Sequence, residues 1–133
     1  MNLDLLTYAG NLANLREIEE NSAYTFVKGD ICDGVLVESL FKEYGFAGVI
    51  HFAAESHNDN SLDNPWPFIE SNIIGTYRVL VAVRKHNKRL HHISTDEVYG
   101  DLELDDPSKF TVDTPYNPSS PYSSSKASSD LLV

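Results

Sequence analysis

At 133 residues the chain is long enough to bury a core and too short for more than one domain. Its apolar fraction of 41%, with 11% aromatic residues, describes a globular chain and not a disordered one. A formal net charge of −10 excludes a surface that tracks nucleic-acid phosphates, which needs clustered Lys and Arg. The apolar runs are far too short to span a bilayer, and the Met1 region lacks the basic start and apolar stretch of a signal peptide, so a cytoplasmic protein is expected. Cys32, the single cysteine, permits no intramolecular disulfide and no thiolate metal cluster, and it reads as small core filler.

Asn2-Leu3-Asp4 reads as the stub of a strand. Asn11 is placed to cap a helix running to about Glu20, with Leu12, Leu15 and Ile18 on one buried face. Ala23 to Lys28 alternates as a strand does, and Asp30 closes it. Asp33 is a good N-cap for a helix over residues 34–44, with Val35, Leu36, Leu40 and Phe41 as its apolar stripe and Gly45 as its stop. Ala47 to Ala54 is nearly continuous apolar sequence, the pattern of a parallel strand covered on both sides. Glu55 to Asn64, dense in Ser, Asn, Asp and His, reads as a loop.

Pro65 and Pro67 permit helix only from their position onward. Phe68 to Asn87 carries helical periodicity through Ile69, Ile73, Tyr77, Leu80 and Val83, and Trp66 and Phe68 are expected to anchor that helix. Gly75 in its middle costs about 1 kcal/mol against Ala and implies close packing there. Arg84 to Arg89 reads as solvent-facing cations at the helix end. Leu90 to Ser94 is the next strand, residues 101–120 a long surface loop, and residues 121–133 a final helix. Strand and helix alternate, which implies an α/β fold: a parallel, doubly wound sheet with helices on both faces.

The chemistry concentrates at two places. Thr95, Asp96 and Glu97 stand where the last strand ends, which is where open α/β sheets keep their sites. Tyr122 and Lys126 are four apart and share one face of the final helix, and a lysine beside a tyrosine favours the phenolate, making Tyr122 a proton acceptor nearer neutral pH. His51, His57, His91 and His92 lack metal-ligand spacing; no metal is expected, and His51 and His91 read as core or strand-end residues. Ser123, Ser124 and Ser125 lack the glycine elbow of a hydrolase nucleophile. None of the seven glycines forms a Gly-rich dinucleotide turn, yet Asp4 sits where the acidic residue of a dinucleotide fold stands, at the end of a second strand. The chain is therefore expected to begin after the first strand, its Gly-rich turn and the first helix, and to stop before a substrate domain.

The runs Asp4-Leu-Leu-Thr-Tyr-Ala-Gly-Asn11, Gly29-Asp-Ile-Cys-Asp33, His51-Phe-Ala-Ala-Glu-Ser-His57, Asn72-Ile-Ile-Gly-Thr76, His91 to Asp101 and Ser120 to Asp130 resemble, in order and spacing, the dTDP-glucose 4,6-dehydratases. These are extended short-chain dehydrogenase/reductases, and the resemblance covers nearly the whole chain. It implies a partial NAD-binding, Rossmann-like domain over residues 1–133, truncated at both ends. It also implies a lyase that oxidises C4 of the hexose with NAD, eliminates water across C5 and C6, and returns the hydride to C6.

In that reading Tyr122 takes the C4 hydroxyl proton and Lys126 lowers its pKa and holds the nicotinamide ribose. Thr95 bonds the C4 oxygen, Glu97 removes the C5 proton and Asp96 protonates the departing C6 hydroxyl. Two neighbouring carboxyls can hold different protonation states, because like charges disfavour ionising both. The resemblance further implies that Asp4 binds the adenosine ribose, that Asp30 and Ile31 surround the adenine, and that Phe52, Ala53 and Ala54 lie beneath the pyrophosphate and nicotinamide ribose. Ser56 is implied near the substrate and Ser71 near NAD. Asp4 would repel a 2′-phosphate, which favours NAD over NADP. dTDP-glucose is the implied substrate and a homodimer the implied assembly. Asn58 and Asn60 depart from the pattern, which has an apolar residue and an Arg there, and Ser71 stands where Thr is usual. A related sugar-nucleotide epimerase, or a non-catalytic remnant serving as a folded or partner-binding module, are the alternatives. In isolation the chain is expected to be inactive.

Overall fold

The computed structural model describes residues 1–133. Its elements run β1 (Asn2–Asp4), a 3-10 helix (Leu12–Ile18), β2 (Phe26–Lys28), α1 (Gly34–Glu43), β3 (Gly48–His51), α2 (Asn58–Asp63), a long helix, β4 (Arg89–His92), a second 3-10 helix (Asp96–Tyr99) and α5 (Pro121–Leu132). The long helix has three parts: α3 (Trp66–Phe68), a π-helical stretch (Ile69–Gly75) and α4 (Thr76–Lys85). No helix is long and apolar enough to cross a membrane.

The strands are parallel, as the alternation implies, but they form two separate pairs. In one, Leu3 is opposite Val27; in the other, Val49 is opposite Leu90 and His51 opposite His92. Residues of β1 and β3 line one shared cavity, and the strand expected to be covered on both sides is open there: Ile50 is 64% and Phe52 71% exposed. The apolar core gathers Ile31, Val37, Phe41, Val79, Ala82 and Val83, with Leu3, Phe46, Val49 and Leu90 packed against it. Phe41 meets Phe46 edge-on, with ring centroids 5.4 Å apart.

Local chemistry sets most element starts. Asp33 accepts hydrogen bonds from the amides of Val35 (2.9 Å) and Leu36 (3.0 Å), capping α1. Asn11 caps the first 3-10 helix through Ala13 N, but none of that helix is buried. A three-residue turn keeps Leu12, Leu15 and Ile18 along one edge, of which Leu15 is half-buried and Leu12 and Ile18 are exposed. In α1 the buried positions are Val37, Leu40 and Phe41, while Val35 faces solvent. Gly45 is not needed as a left-handed stop, because Tyr44 ends the helix with extended backbone.

The stretch read as a loop after β3 contains α2, whose Ser61 is fully buried. In the long helix the buried line runs through Phe68, Asn72, Gly75, Thr76, Val79, Ala82 and Val83. It lies mostly one residue before the periodicity read above, an offset already present at Phe68, ahead of the π-helical stretch. Phe68 anchors the helix, whereas Trp66 is exposed. Gly75 packs as its position implies: a Cβ there would lie 2.4 Å from Ile31 Cδ1.

Candidate active site

Two clusters of the expected site residues form, joined by one buried amide. The first lines a cavity of about 510 Å³ and contains Asp4, Asp30, Ile31, Phe52, Ala53, Ala54 and Ser71. Asp4 is the last residue of β1 and Asp30 lies two residues past β2, and both are shaped by their own turns. Asp4 Oδ1 accepts from Leu6 N (2.7 Å) and Asp30 Oδ1 from Cys32 N (2.8 Å), which leaves each carboxylate a second oxygen for a ligand hydroxyl. Ser56 lies outside this cavity, exposed between β3 and α2. Asn58 begins α2, and its carbonyl accepts from Ser61 Oγ (2.6 Å).

The second cluster lies where β4 ends against α5. Thr95 caps the 3-10 helix of Asp96–Tyr99, its hydroxyl accepting from Glu97 N (3.3 Å). Gly100 ends that helix at φ 93°, a left-handed backbone that favours glycine, and a Cβ there would lie 2.6 Å from Asn117 O. α5 starts with a reciprocal cap in which Ser120 Oγ accepts from Ser123 N and Ser123 Oγ accepts from Ser120 N, followed by Pro121. Unlike an ordinary core helix, it buries polar groups. Ser123 and Ser129 are fully buried, and Tyr122 and Lys126 are 8% and 5% exposed. The small serines bond back to their own helix, Ser125 to Tyr122 O (2.7 Å) and Ser129 to Lys126 O (2.8 Å), so burial leaves them satisfied.

Tyr122 faces the Thr95-Asp96-Glu97 run. Burial pushes its phenol above the ordinary 10, a hydrogen bond with the Thr95 side chain opposes this, and the charges of Glu97 and Asp96 add to the rise. Lys126, expected to make Tyr122 more acidic, is not among the groups that shift its phenol. Lys126 donates to the Ile93 carbonyl (2.5 Å), and its own pKa is drawn down by burial, with Asp130 opposing. The phenol is therefore held neutral.

Several residues that build the site carry no role in the sequence reading. Asn72, 1% exposed, accepts from Glu55 N (2.8 Å) and donates to Glu55 O (2.9 Å) and Ser125 Oγ (2.8 Å), tying the loop after β3 to α5. Ser61 Oγ accepts from Tyr122 N (3.2 Å). Asp130 accepts from Ser94 and Tyr116 and lies against His92. The spacing of Asn72 from Phe68 and Thr76 is a signal for the first, and the four-residue step from Lys126 to Asp130 for the last. Of the two histidines read as core or strand-end residues, His51 is buried and bonded to Thr76 Oγ1 (2.9 Å), and His91 stands exposed near the end of β4, where His92 takes the inner position. Cys32 is half-buried; burial pushes its thiol up to about 12, which makes it unreactive.

Parallel strands, a tyrosine-lysine pair on a buried helix face and an acid pair at the adjoining strand end define a Rossmann-like enzyme fold of the short-chain dehydrogenase/reductase kind. The chain belongs to the GDP-mannose 4,6-dehydratase family, whose model matches residues 1–133. It is 60% identical over 131 residues to a dTDP-glucose 4,6-dehydratase of Mycobacterium tuberculosis, covering 98% of this chain and 38% of the relative. It superposes on the dTDP-glucose 4,6-dehydratase of Bacillus anthracis in complex with NAD with a TM-score of 0.86 at 44% identity, covering 98% of this chain and 39% of the other. For the Streptomyces venezuelae enzyme with NAD and a second ligand bound, the TM-score is 0.90 at 43% identity, with the same coverage. The chain thus spans about two fifths of the length of these relatives.

Proposed function

We propose that this chain is the NAD-binding and acid-base part of a dTDP-glucose 4,6-dehydratase. The observation that carries the reading is the placement of Thr95, Asp96 and Glu97 at the end of β4, against the buried face of α5 that holds Tyr122 and Lys126. Names of relatives support it: the matched enzymes are dTDP-glucose 4,6-dehydratases, two of them with NAD bound.

The cavity suits the adenosine end of a dinucleotide. Two half-buried carboxylates supply acceptors for ribose hydroxyls, and Ile31 and Phe52 supply apolar surface. Asp4, Asp30, Ile31, Phe52, Ala53, Ala54 and Ser71 are assigned to NAD, with Tyr122 and Lys126 at the nicotinamide ribose. NAD, when bound, supplies the hydride acceptor for C4 and the hydride donor for C6.

The protein's own groups move the protons. Tyr122, once its phenol has given up its own proton to solvent, takes the proton of the C4 hydroxyl as the phenolate, and Lys126, four residues along the same helix face, is the nearby cation that would favour that form. Thr95 orients the C4 oxygen, and Ser56 lies toward the substrate. The C4 ketone then acidifies C5, where Glu97 removes a proton while Asp96 delivers one to the C6 hydroxyl, which leaves as water. Residues 1–133 form a partial NAD-binding domain in this reading, cytoplasmic and paired as a homodimer in the whole enzyme. By itself the chain does not turn over, because the cavity lies open between two unjoined sheets.

The test replaces the matching segment of the Mycobacterium tuberculosis relative with these residues. The chimera is expected to form dTDP-4-keto-6-deoxyglucose, and Asp96→Asn with Glu97→Gln to lose product while retaining NAD. Turnover of a sugar nucleotide by the acid-pair variant without elimination would instead establish an epimerase.

A further inference from the structure

Asp130 sits one turn beyond Lys126 on α5, and its side chain is 9% exposed. A buried carboxylate is costly unless its oxygens are bonded, and here three separate segments bond them. Oδ2 accepts from the hydroxyl of Ser94, two residues past β4, and from that of Tyr116 (3.2 Å), in the 101–120 loop; Oδ1 lies 3.0 Å from Nε2 of His92, the last residue of β4.

The histidine contact fixes a tautomer. The carboxylate can only accept, and Ser129 Oγ, 3.3 Å from the same nitrogen, already donates its proton to Lys126 O (2.8 Å). His92 Nε2 therefore carries the proton. Nδ1, buried and without a partner, carries a lone pair, since an N–H there would have no acceptor.

We propose that Asp130 is a positioning residue: through Ser94, His92 and Tyr116 it locks the end of β4, and with it Thr95, Asp96 and Glu97, against the helix that presents Tyr122 and Lys126. Ser94 precedes Thr95 directly, so the strand end cannot shift without breaking this contact. Tyr116 also stacks edge-on with Tyr99 (5.5 Å), the last residue of the 3-10 helix, so the carboxylate holds the acid-bearing helix from both ends. Asp130 is not offered as a proton carrier. It acts on the reaction only through the residues it places, and in that respect the inference rests on the dehydratase reading.

The test has two independent arms. In the 133-residue chain, Asp130→Asn offers one oxygen where three donors need acceptors. That oxygen is expected to stay with Ser94 and Tyr116, turning the amide NH₂ toward His92. ¹⁵N spectra should then show the ring moving from the Nε2–H toward the Nδ1–H tautomer, with faster amide exchange at residues 95–99. In the chimera, kcat should fall on the order of 10-fold to 100-fold with KM little changed, the signature of misplaced reacting groups. Ser94→Ala, which removes one donor and leaves the carboxylate bonded, should give a smaller loss of the same kind and serves if Asp130→Asn does not fold. Unchanged exchange at residues 95–99 together with unchanged kcat in the folded variants would overturn the proposal. An altered tautomer and faster exchange in a chimera that makes no ketosugar would uphold the positioning role and sink the dehydratase reading alone.

Discussion

The ammonium of Lys126 donates to the carbonyl of Ile93, the residue that joins β4 to the Ser94-Thr95-Asp96-Glu97 run. The lysine thereby holds the strand end, while the tyrosine one turn before it keeps its proton. Against the burial that raises the Tyr122 pKa stands the hydrogen bond with the Thr95 side chain.

The titration of Tyr122 follows with definite signs. Its phenol should ionise above 10 in the folded chain. Thr95→Val should raise it further by removing the opposing hydrogen bond, and Asp96→Asn or Glu97→Gln should lower it by removing a negative charge. Because the folded value lies above the unfolded one, the stabilisation is complete below pH 10 and is lost as pH rises through the folded value. Tyrosine-labelled NMR titrations of the three variants check the order; a Thr95→Val phenol more acidic than the parent would refute it.

Acid should weaken the fold well above the usual carboxylate range. Burial draws His51 down to about 4, with the positive charges of His92 and Lys126 adding, and burial also lowers His92. Between about 4 and the ordinary 6.5 the unfolded chain binds more protons than the folded one, so stability is lost as pH falls through that window. For His51 the loss is on the order of 3 kcal/mol. Urea midpoints measured from pH 7 to pH 4 should decline, and His51→Gln, which cannot charge, should flatten the slope.

What the sequence made legible was local. Asp33 caps α1 and Ser120-Pro121 starts α5 through contacts within three residues, and the four-residue step puts Tyr122 and Lys126 on one face wherever that helix packs. What stayed hidden depends on tertiary partners. α2 carries loop-like sequence and is helical where Ser61 can accept from Tyr122 N. The buried line of the long helix runs through Asn72 and Thr76, whose side chains bond Glu55, Ser125 and His51, and not through Ile73 and Tyr77. Alternation implied parallel strands without fixing which strands pair, and the charge state of Tyr122 turned on whether Lys126 met a phenol or a carbonyl.

Asn72 is expected to be indispensable to the fold. Replacement by Leu keeps the volume near and deletes three hydrogen bonds, leaving the Glu55 amide and carbonyl and the Ser125 hydroxyl without this partner. The loss should be on the order of 3 kcal/mol, since stranded polar groups cost more than the bonds alone contribute. Denaturation midpoints measure it, and Ser125→Ala, which removes only the shared donor site on α5, should cost about 1 kcal/mol. Equal losses in the two variants would show that the Glu55 pair contributes nothing.

Gly75 offers a packing test that is independent of polar chemistry. Alanine favours helix by about 1 kcal/mol, yet its Cβ would lie 2.4 Å from Ile31 Cδ1 and 2.7 Å from Cγ1, inside any real contact. The clash wins, because Ile31 is 8% exposed in the core and has little room to turn aside. Overpacking of this kind costs about 1–3 kcal/mol, so Gly75→Ala should lower the thermal midpoint despite its better propensity. Ile31→Val removes the nearer of the two clashing carbons. The double variant should therefore be more stable than the sum of the single losses allows, a coupling that a double-mutant cycle reads directly. Strict additivity would place the Ile31 contact elsewhere and leave helix propensity as the only effect at this glycine.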